Sequence, residues 1–72
     1  MKRNDKQLYV SHFIDSVYLG QLNNSYQKNG FGIVQNFKFD TYFGTFRNNM
    51  AEGLGLVVFN DGLVVYANFV RD

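Results

Sequence analysis

The chain has no cysteine, no proline and no tryptophan, and only one histidine. Without cysteine there is no disulfide and no thiolate metal site. His12 alone does not make a zinc site without other strong ligands beside it. Without proline there is no Pro-rich spacer. Long hydrophobic runs are missing as well. The longest, Gly53 to Phe59, falls far short of the about 20 residues that a membrane-spanning helix takes. The opening Met1-Lys2-Arg3-Asn4-Asp5-Lys6 is basic, but no apolar signal-peptide core follows it. Charge of one sign is also scarce: a net charge of +1 exerts no strong pull on nucleic acid or acidic partners. These absences suit an intracellular, cytoplasmic chain with no cofactor.

Length sets a further limit. With 72 residues there is one domain at most. A chain near this size buries only about 60% of its unfolded surface, so its core is marginal. With disulfides and metals excluded, association with another protein chain is the support that remains. The expected partners are therefore other chains, in a hetero-assembly or a homo-oligomer. Nucleic acid and small-molecule substrates are not expected.

What the chain does have is a repetition. Residues 30–46 recur at 53–69, at a constant offset of 23 and without a gap. Gly30-Phe31-Gly32 returns as Gly53-Leu54-Gly55, and Phe46 returns as Phe69. Repeats of this length are supersecondary units that bury their apolar faces against neighbours. The hydrophobic period within them is two, which is the period of a strand. Tyr42, Gly44 and Phe46 share one face, as do Gly53, Gly55, Val57 and Phe59; Leu54, Leu56 and Val58 share the other. Val, Phe and Tyr dominate these runs, as strands prefer.

Strands are expected near 8–13, 17–22, 30–36, 41–47, 53–59 and 63–70, with tight turns near 14–16, 37–40 and 60–62. Asn60-Asp61-Gly62 is a strong hairpin signal. Phe37-Lys38-Phe39-Asp40, its counterpart, has no glycine, so its geometry differs or carries strain. The connections 23–29 and 48–52, which contain Asn23-Asn24 and Asn48-Asn49, are expected to be looser. The expected fold is all-β: an antiparallel meander of stacked β-hairpins, elongated and twisted. An interior strand glycine weakens a sheet unless it lets a backbone or a large ring approach closely. Gly30, Gly32, Gly44, Gly53 and Gly55 are thus read as slots for aromatic rings from adjacent strands.

These residues resemble MORN repeats. Tyr18-Leu19-Gly20-Gln21-Leu22 opens one unit and Gly30-Phe31-Gly32 follows it. Tyr42-Phe43-Gly44-Thr45-Phe46 opens the next, followed by Gly53-Leu54-Gly55 and the turn at Gly62. Val65, Ala67 and Phe69 stand where a third opening would begin; using Tyr66 and Asn68 instead breaks the 23-residue register. Leu22, Phe46 and Phe69 stand where the family has tryptophan. The likeness covers residues 9–70 and divides the chain into a basic N-terminal arm, 1–7, and a MORN-like repeat domain, 8–70, of about 2.5 repeats. Its units lie near 18–40 and 41–63, with partial units at both ends. It implies an elongated repeat array that acts as a scaffold through protein–protein interaction, in the cytoplasm, on the cytoskeleton or in a cilium. It also implies phospholipid binding as an alternative role.

Candidate catalytic groups have simpler readings. Asp15, Asp40 and Asp61 fall at turns, where Asp caps its own backbone. Ser11 and His12 are strand neighbours and so point to opposite faces, which denies them a nucleophile–base pair. The Gly-x-Gly pairs lack the Lys-Ser/Thr or the third glycine, and the helix, of phosphate-binding loops. No catalytic, cofactor or metal residues are assigned, and the chain is not expected to be an enzyme. A regulatory repeat fragment of an enzyme is a further alternative; the Met1 start and short length weigh against it.

The packing residues are expected to be Tyr18, Gly20, Gly30, Gly32, Tyr42, Gly44, Phe46, Gly53, Gly55, Gly62 and Phe69. The partner-facing residues are expected to be Phe37, Phe39, Tyr66 and Phe69. The strand from Leu63 to Val70 carries no inward charge and no proline to blunt its edge. The chain is accordingly expected to be a non-catalytic structural or adaptor protein that docks by this strand or the face beside it. The lipid alternative places the basic arm and exposed phenylalanines on an anionic surface.

Overall fold

A computed structural model describes residues 7–37 and 40–70. Six strands follow one another: β1 (Tyr9–His12), β2 (Ser16–Leu22), β3 (Lys28–Asn36), β4 (Thr41–Arg47), β5 (Met50–Val58) and β6 (Val64–Phe69). They form one open antiparallel sheet in chain order, a meander whose free edges are β1 and β6. Among the described residues there is no helix.

The period-two pattern places Tyr18, Tyr42 and a row of glycines on a single face. Tyr18 is paired with Val34, Gly20 with Gly32, Val34 with Tyr42, and Gly32 with Gly44. Gly44 is paired in turn with Gly55, and Gly55 with Ala67. A row of four glycines and one alanine therefore crosses β2 to β6. The core lies on this face: Tyr18, Leu22 and Phe46 are buried, with Tyr9, Val34, Tyr42 and Ala51 packed against them.

Both long connections expected to be loose are tightly built. β4 and β5 join through Asn48 and Asn49 alone, with φ of 50° and 73°. Two consecutive positive φ angles make the two-residue hairpin turn whose twist matches its strands, and asparagine tolerates them. The Asn49 side chain accepts from the Lys28 amide at 2.8 Å, while the Asn49 amide donates to the Lys28 carbonyl at 2.9 Å. Asn23 closes the preceding loop: its Oδ1 accepts from the Ser25 and Gln27 amides, at 2.9 and 3.0 Å. The asparagine pairs thus tie neighbouring hairpins together at one end of the sheet.

Each long hairpin also carries a bulge, with Gln21 of β2 facing residues 29–31 of β3 and Thr45 of β4 facing residues 52–54 of β5. At the centre of these segments Gly30 and Gly53 adopt φ of 88° and 81°, a conformation that favours glycine. A polar side chain occupies each break in the ladder. Gln21 Oε1 accepts from the Phe31 amide at 2.8 Å, and the Thr45 hydroxyl donates to the Glu52 carbonyl.

Candidate functional site

The glycine row exists to seat two tyrosines. Tyr18 lies over Gly20 of its own strand and Gly32 of the next, and its hydroxyl donates to the Gln21 carbonyl at 2.6 Å. A Cβ on Gly32 would stand 2.5 Å from that hydroxyl and 2.7 Å from the ring carbon bearing it. Tyr42 repeats the arrangement over Gly44 and Gly55, with its hydroxyl donating to the Thr45 carbonyl at 3.0 Å. The expectation that rings come from adjacent strands thus holds for Gly32 and Gly55 and fails for Gly30 and Gly53, over which the Gln21 and Thr45 side chains lie; Gly20 and Gly44 lie under a ring of their own strand. The third opening lacks both parts. At β6 the ring is replaced by Val65, and the glycine beneath it by Ala67. Where no ring lies flat on the backbone, a methyl group fits.

The aromatic rings form a chain along this face. Tyr18 meets Phe46 edge-on at 5.5 Å, Phe46 meets Tyr42 at 5.1 Å, and Tyr42 meets Phe69 at 5.0 Å. Edge-to-face contacts at these separations favour the ring quadrupoles. Phe46 and Phe69 are equivalent positions, and each receives the tyrosine of the preceding unit. Lys28 reaches over the same face, with its ammonium 4.6 Å from the Phe13 ring centre and 5.7 Å from that of Tyr18. An open apolar groove runs between Val34, Tyr42, Phe46, Ala51, Val57 and Phe69, bordered by Lys28 and Asp40.

Burial makes the tyrosines resist ionisation. Desolvation pushes the Tyr18 phenol up to about 12, from an ordinary value of 10.0. Tyr42 moves in the same direction through desolvation, opposed by its hydrogen bond to Thr45. The unfolded chain therefore loses these protons before the folded one does. The stabilisation is complete below the unfolded pKa, near pH 10.0, and fades as pH rises toward the folded value of about 12. The expected result is alkaline unfolding in that window. The Tyr18 share of the tyrosinate absorbance, taken as the difference from a Tyr18→Phe variant, should appear together with loss of the far-UV β-sheet signal; its appearance near pH 10 with the sheet intact would contradict the packing described.

The opposite face carries a second apolar surface. Pairing aligns Val10, Leu19, Ile33, Phe43, Leu56 and Tyr66 in one row across all six strands. Val10, Leu19 and Tyr66 are exposed, Tyr66 to 67%. Beside this face lies the β6 edge. The Phe59 amide donates to the Leu63 carbonyl at 2.8 Å, which makes that pair a hydrogen-bonded one. Alternation along the ladder then turns the main-chain groups of Val65, Ala67 and Phe69 toward β5, and those of Val64, Tyr66 and Asn68 outward.

The expected site residues therefore separate. Tyr66 lies on the second face and at the edge. Phe69 is half-buried, with its ring against Tyr42 and on the border of the open groove. Phe37 is exposed at the opposite end of the sheet from the asparagine turns, where its amide donates to the Asp15 carbonyl at 3.0 Å. Phe39 lies outside the described residues, as do Lys38 and residues 1–6 of the arm. Gly62, with φ of 96°, closes the last turn, where the Asp61 carboxylate accepts from the Leu63 amide at 3.0 Å. Ser11 and His12 are paired with Tyr18 and Val17, on opposite faces. Among the described residues no group of His, Cys, Asp and Glu could hold a metal ion, and no helix is long and apolar enough to cross a membrane.

The six-residue row, the asparagine ties and the two polar plugs were not anticipated from the residues alone. The equal spacing of Gln21 and Thr45 after Tyr18 and Tyr42 was the available signal for the plugs. Compared with protein-family models, with curated proteins and with solved structures, the chain finds no match.

Proposed function

We propose that the chain is a non-catalytic structural or adaptor protein that enters a larger protein assembly by β-addition at β6. The observation that carries this is the edge itself. Val64, Tyr66 and Asn68 turn their main-chain donors and acceptors away from the sheet, on a strand with no charged residue and no proline. An extended segment of another chain gains main-chain hydrogen bonds there and selects its partner through alternate side chains. The recurring Tyr-x-Gly and Gly-x-Gly units support a MORN-like repeat array, and through that likeness a cytoskeletal or ciliary setting.

A lipid-binding role draws less support from the geometry. Phe37 stands at the end of the sheet that also carries the turns with Asp15, Asp40 and Asp61, whose charge repels an anionic surface. β1 begins at the other end, paired at Tyr9 with Gly20 and running toward His12.

Asn68→Pro tests the edge. Proline at an outward-facing edge position removes a donor offered to a partner but no bond of the sheet. The variant is expected to keep the thermal midpoint within a few degrees and to lose, by tenfold or more, the protein that co-purifies with the wild type, by about 1.4 kcal/mol or more of binding. Undiminished recovery of that protein with a stable variant would refute edge docking.

A further inference from the structure

We infer that the second face is the interface of a two-fold homodimer, built sheet against sheet. The inference is independent of edge docking, because it uses the side chains of β1 to β6 and not the outer backbone of β6. Its basis is a self-complementarity in the row Val10, Leu19, Ile33, Phe43, Leu56, Tyr66. A two-fold axis parallel to the strands and passing between β3 and β4 lays β1 over the β6 of a second copy, β2 over β5, and β3 over β4. The row then meets its own reverse. Val10 faces Tyr66, Leu19 faces Leu56 and Ile33 faces Phe43, so every contact is apolar and the smallest side chain meets the largest.

Of the two flanking rows, the one toward the β1–β2 turn pairs like with like; in the other, Phe31 faces Thr45. In the first, pairing aligns His12, Val17, Gln35, Thr41, Val58 and Val64. Under the same axis Val17 faces Val58 and Gln35 faces Thr41; only His12 and Val64 are of mixed character. Neither this row nor the central one contains Lys, Arg, Asp or Glu. Arg47 and Glu52, beside the β4–β5 turn, pair with each other at 3.8 Å. Along these two rows, two copies can therefore approach without burying an unpaired charge.

Size fits as well. The two longer dimensions of the chain, 42 and 24 Å, give a face on the order of 1,000 Å², against the about 800 Å² per partner that a stable complex buries. Sheets pack face to face about 10 Å apart with strands within about 30° of each other, which this axis allows. An isologous contact of this kind closes on itself and stops at two copies.

The test is a charge exchange at Leu19 and Leu56, on β2 and β5, away from the edge. Wild-type chain in sedimentation equilibrium is expected to reach twice its 8.3 kDa mass. Leu19→Lys and Leu56→Glu, each alone, should fold with wild-type circular dichroism and weaken the dimer about 100-fold or more, since each buries an unpaired charge. Mixed one to one, they should recover a heterodimer, because Lys at 19 of one copy faces Glu at 56 of the other. A wild type that stays monomeric at about 100 µM, single variants that dimerise as tightly as wild type, or a mixture of folded variants that stays monomeric would each overturn the inference. Wild type that partitions onto neutral or anionic vesicles instead of self-associating would also overturn it. If Leu56→Glu fails to fold, Val10→Cys mixed with Tyr66→Cys decides the matter through a short bismaleimide linker. Cross-linking between the two variants but within neither alone supports the two-fold, and equal cross-linking in all three refutes it.

Discussion

Replacing Gly32 by alanine is expected to lower stability by about 3 kcal/mol, although it adds a single methyl group to a sheet. The methyl would stand 2.5 Å from the Tyr18 hydroxyl and 2.7 Å from the ring carbon bearing it. Neither side can yield easily. Tyr18 is 0% exposed, its hydroxyl is held by the Gln21 carbonyl, and its ring edge rests on Phe46. The ring must therefore leave its seat, forfeiting burial and hydrogen bond together. A domain of this length has roughly 4–11 kcal/mol in total, so the loss is a large share. It corresponds to a fall of roughly 12–24 °C in thermal midpoint, readable by circular dichroism.

Gly62→Ala provides the contrast. No atom lies within 4 Å of its Cβ position, and only its φ of 96° resists the change. It should lower stability by about 1 kcal/mol. If Gly32→Ala were no worse than Gly62→Ala, the seating of Tyr18 would be wrong. A double-mutant comparison sharpens this: in a Tyr18→Val background the Gly32→Ala change should lose most of its effect, since the two residues are in contact. β6 already shows the relaxed form, with Val65 and Ala67 together.

Phe46→Ala is expected to be at least as severe, at about 3–5 kcal/mol. Phe46 is 8% exposed and takes the edges of both Tyr18 and Tyr42. It is the only ring that touches both seated tyrosines in this chain of contacts, so its loss uncouples the two units. Phe46→Leu keeps most of the volume and should lose about 1–3 kcal/mol, the worth of two edge-to-face pairs. Leu22, at the equivalent position of the first unit, indicates that leucine fits the space. Urea denaturation measures both. Equal effects of Ala and Leu would mean that the rings contribute through specific geometry alone; a negligible effect of Ala would dismantle the ring chain as the link between units.

Much of the fold was legible in the residues because strand periodicity and glycine placement are local properties. All six strands appear within a few residues of their expected positions, and the open edge at 64–69 follows from the meander. The register of the last unit was legible too: Val65 and Ala67 pair with Val57 and Gly55, while Tyr66 and Asn68 fall on the other face. What escaped depends on atoms far apart in sequence. The bonds from Lys28 to Asn49, and from the Asn48 amide to the Asn29 side chain, join residues about twenty positions apart, so 48–52 read as loose. The contact of Phe69 with Tyr42 escaped for the same reason, since only the pairing shows that its ring reaches that far. The six-residue row required the register of five successive pairings before it could be drawn at all.

A ring resting on two glycines from neighbouring strands also acts as a proofreader of alignment. Slide β3 past β2 by one residue and the position under Tyr18 belongs to Phe31 or Ile33; slide it by two and Val34 or the kinked Gly30 arrives there. Every misalignment but the last thrusts a carbon into the ring, and that one places a bent backbone where a flat one is needed. Yet Gly55 would satisfy the same check as Gly32. Misaligned hairpins are rejected, while an exchange of whole equivalent strands between copies passes inspection.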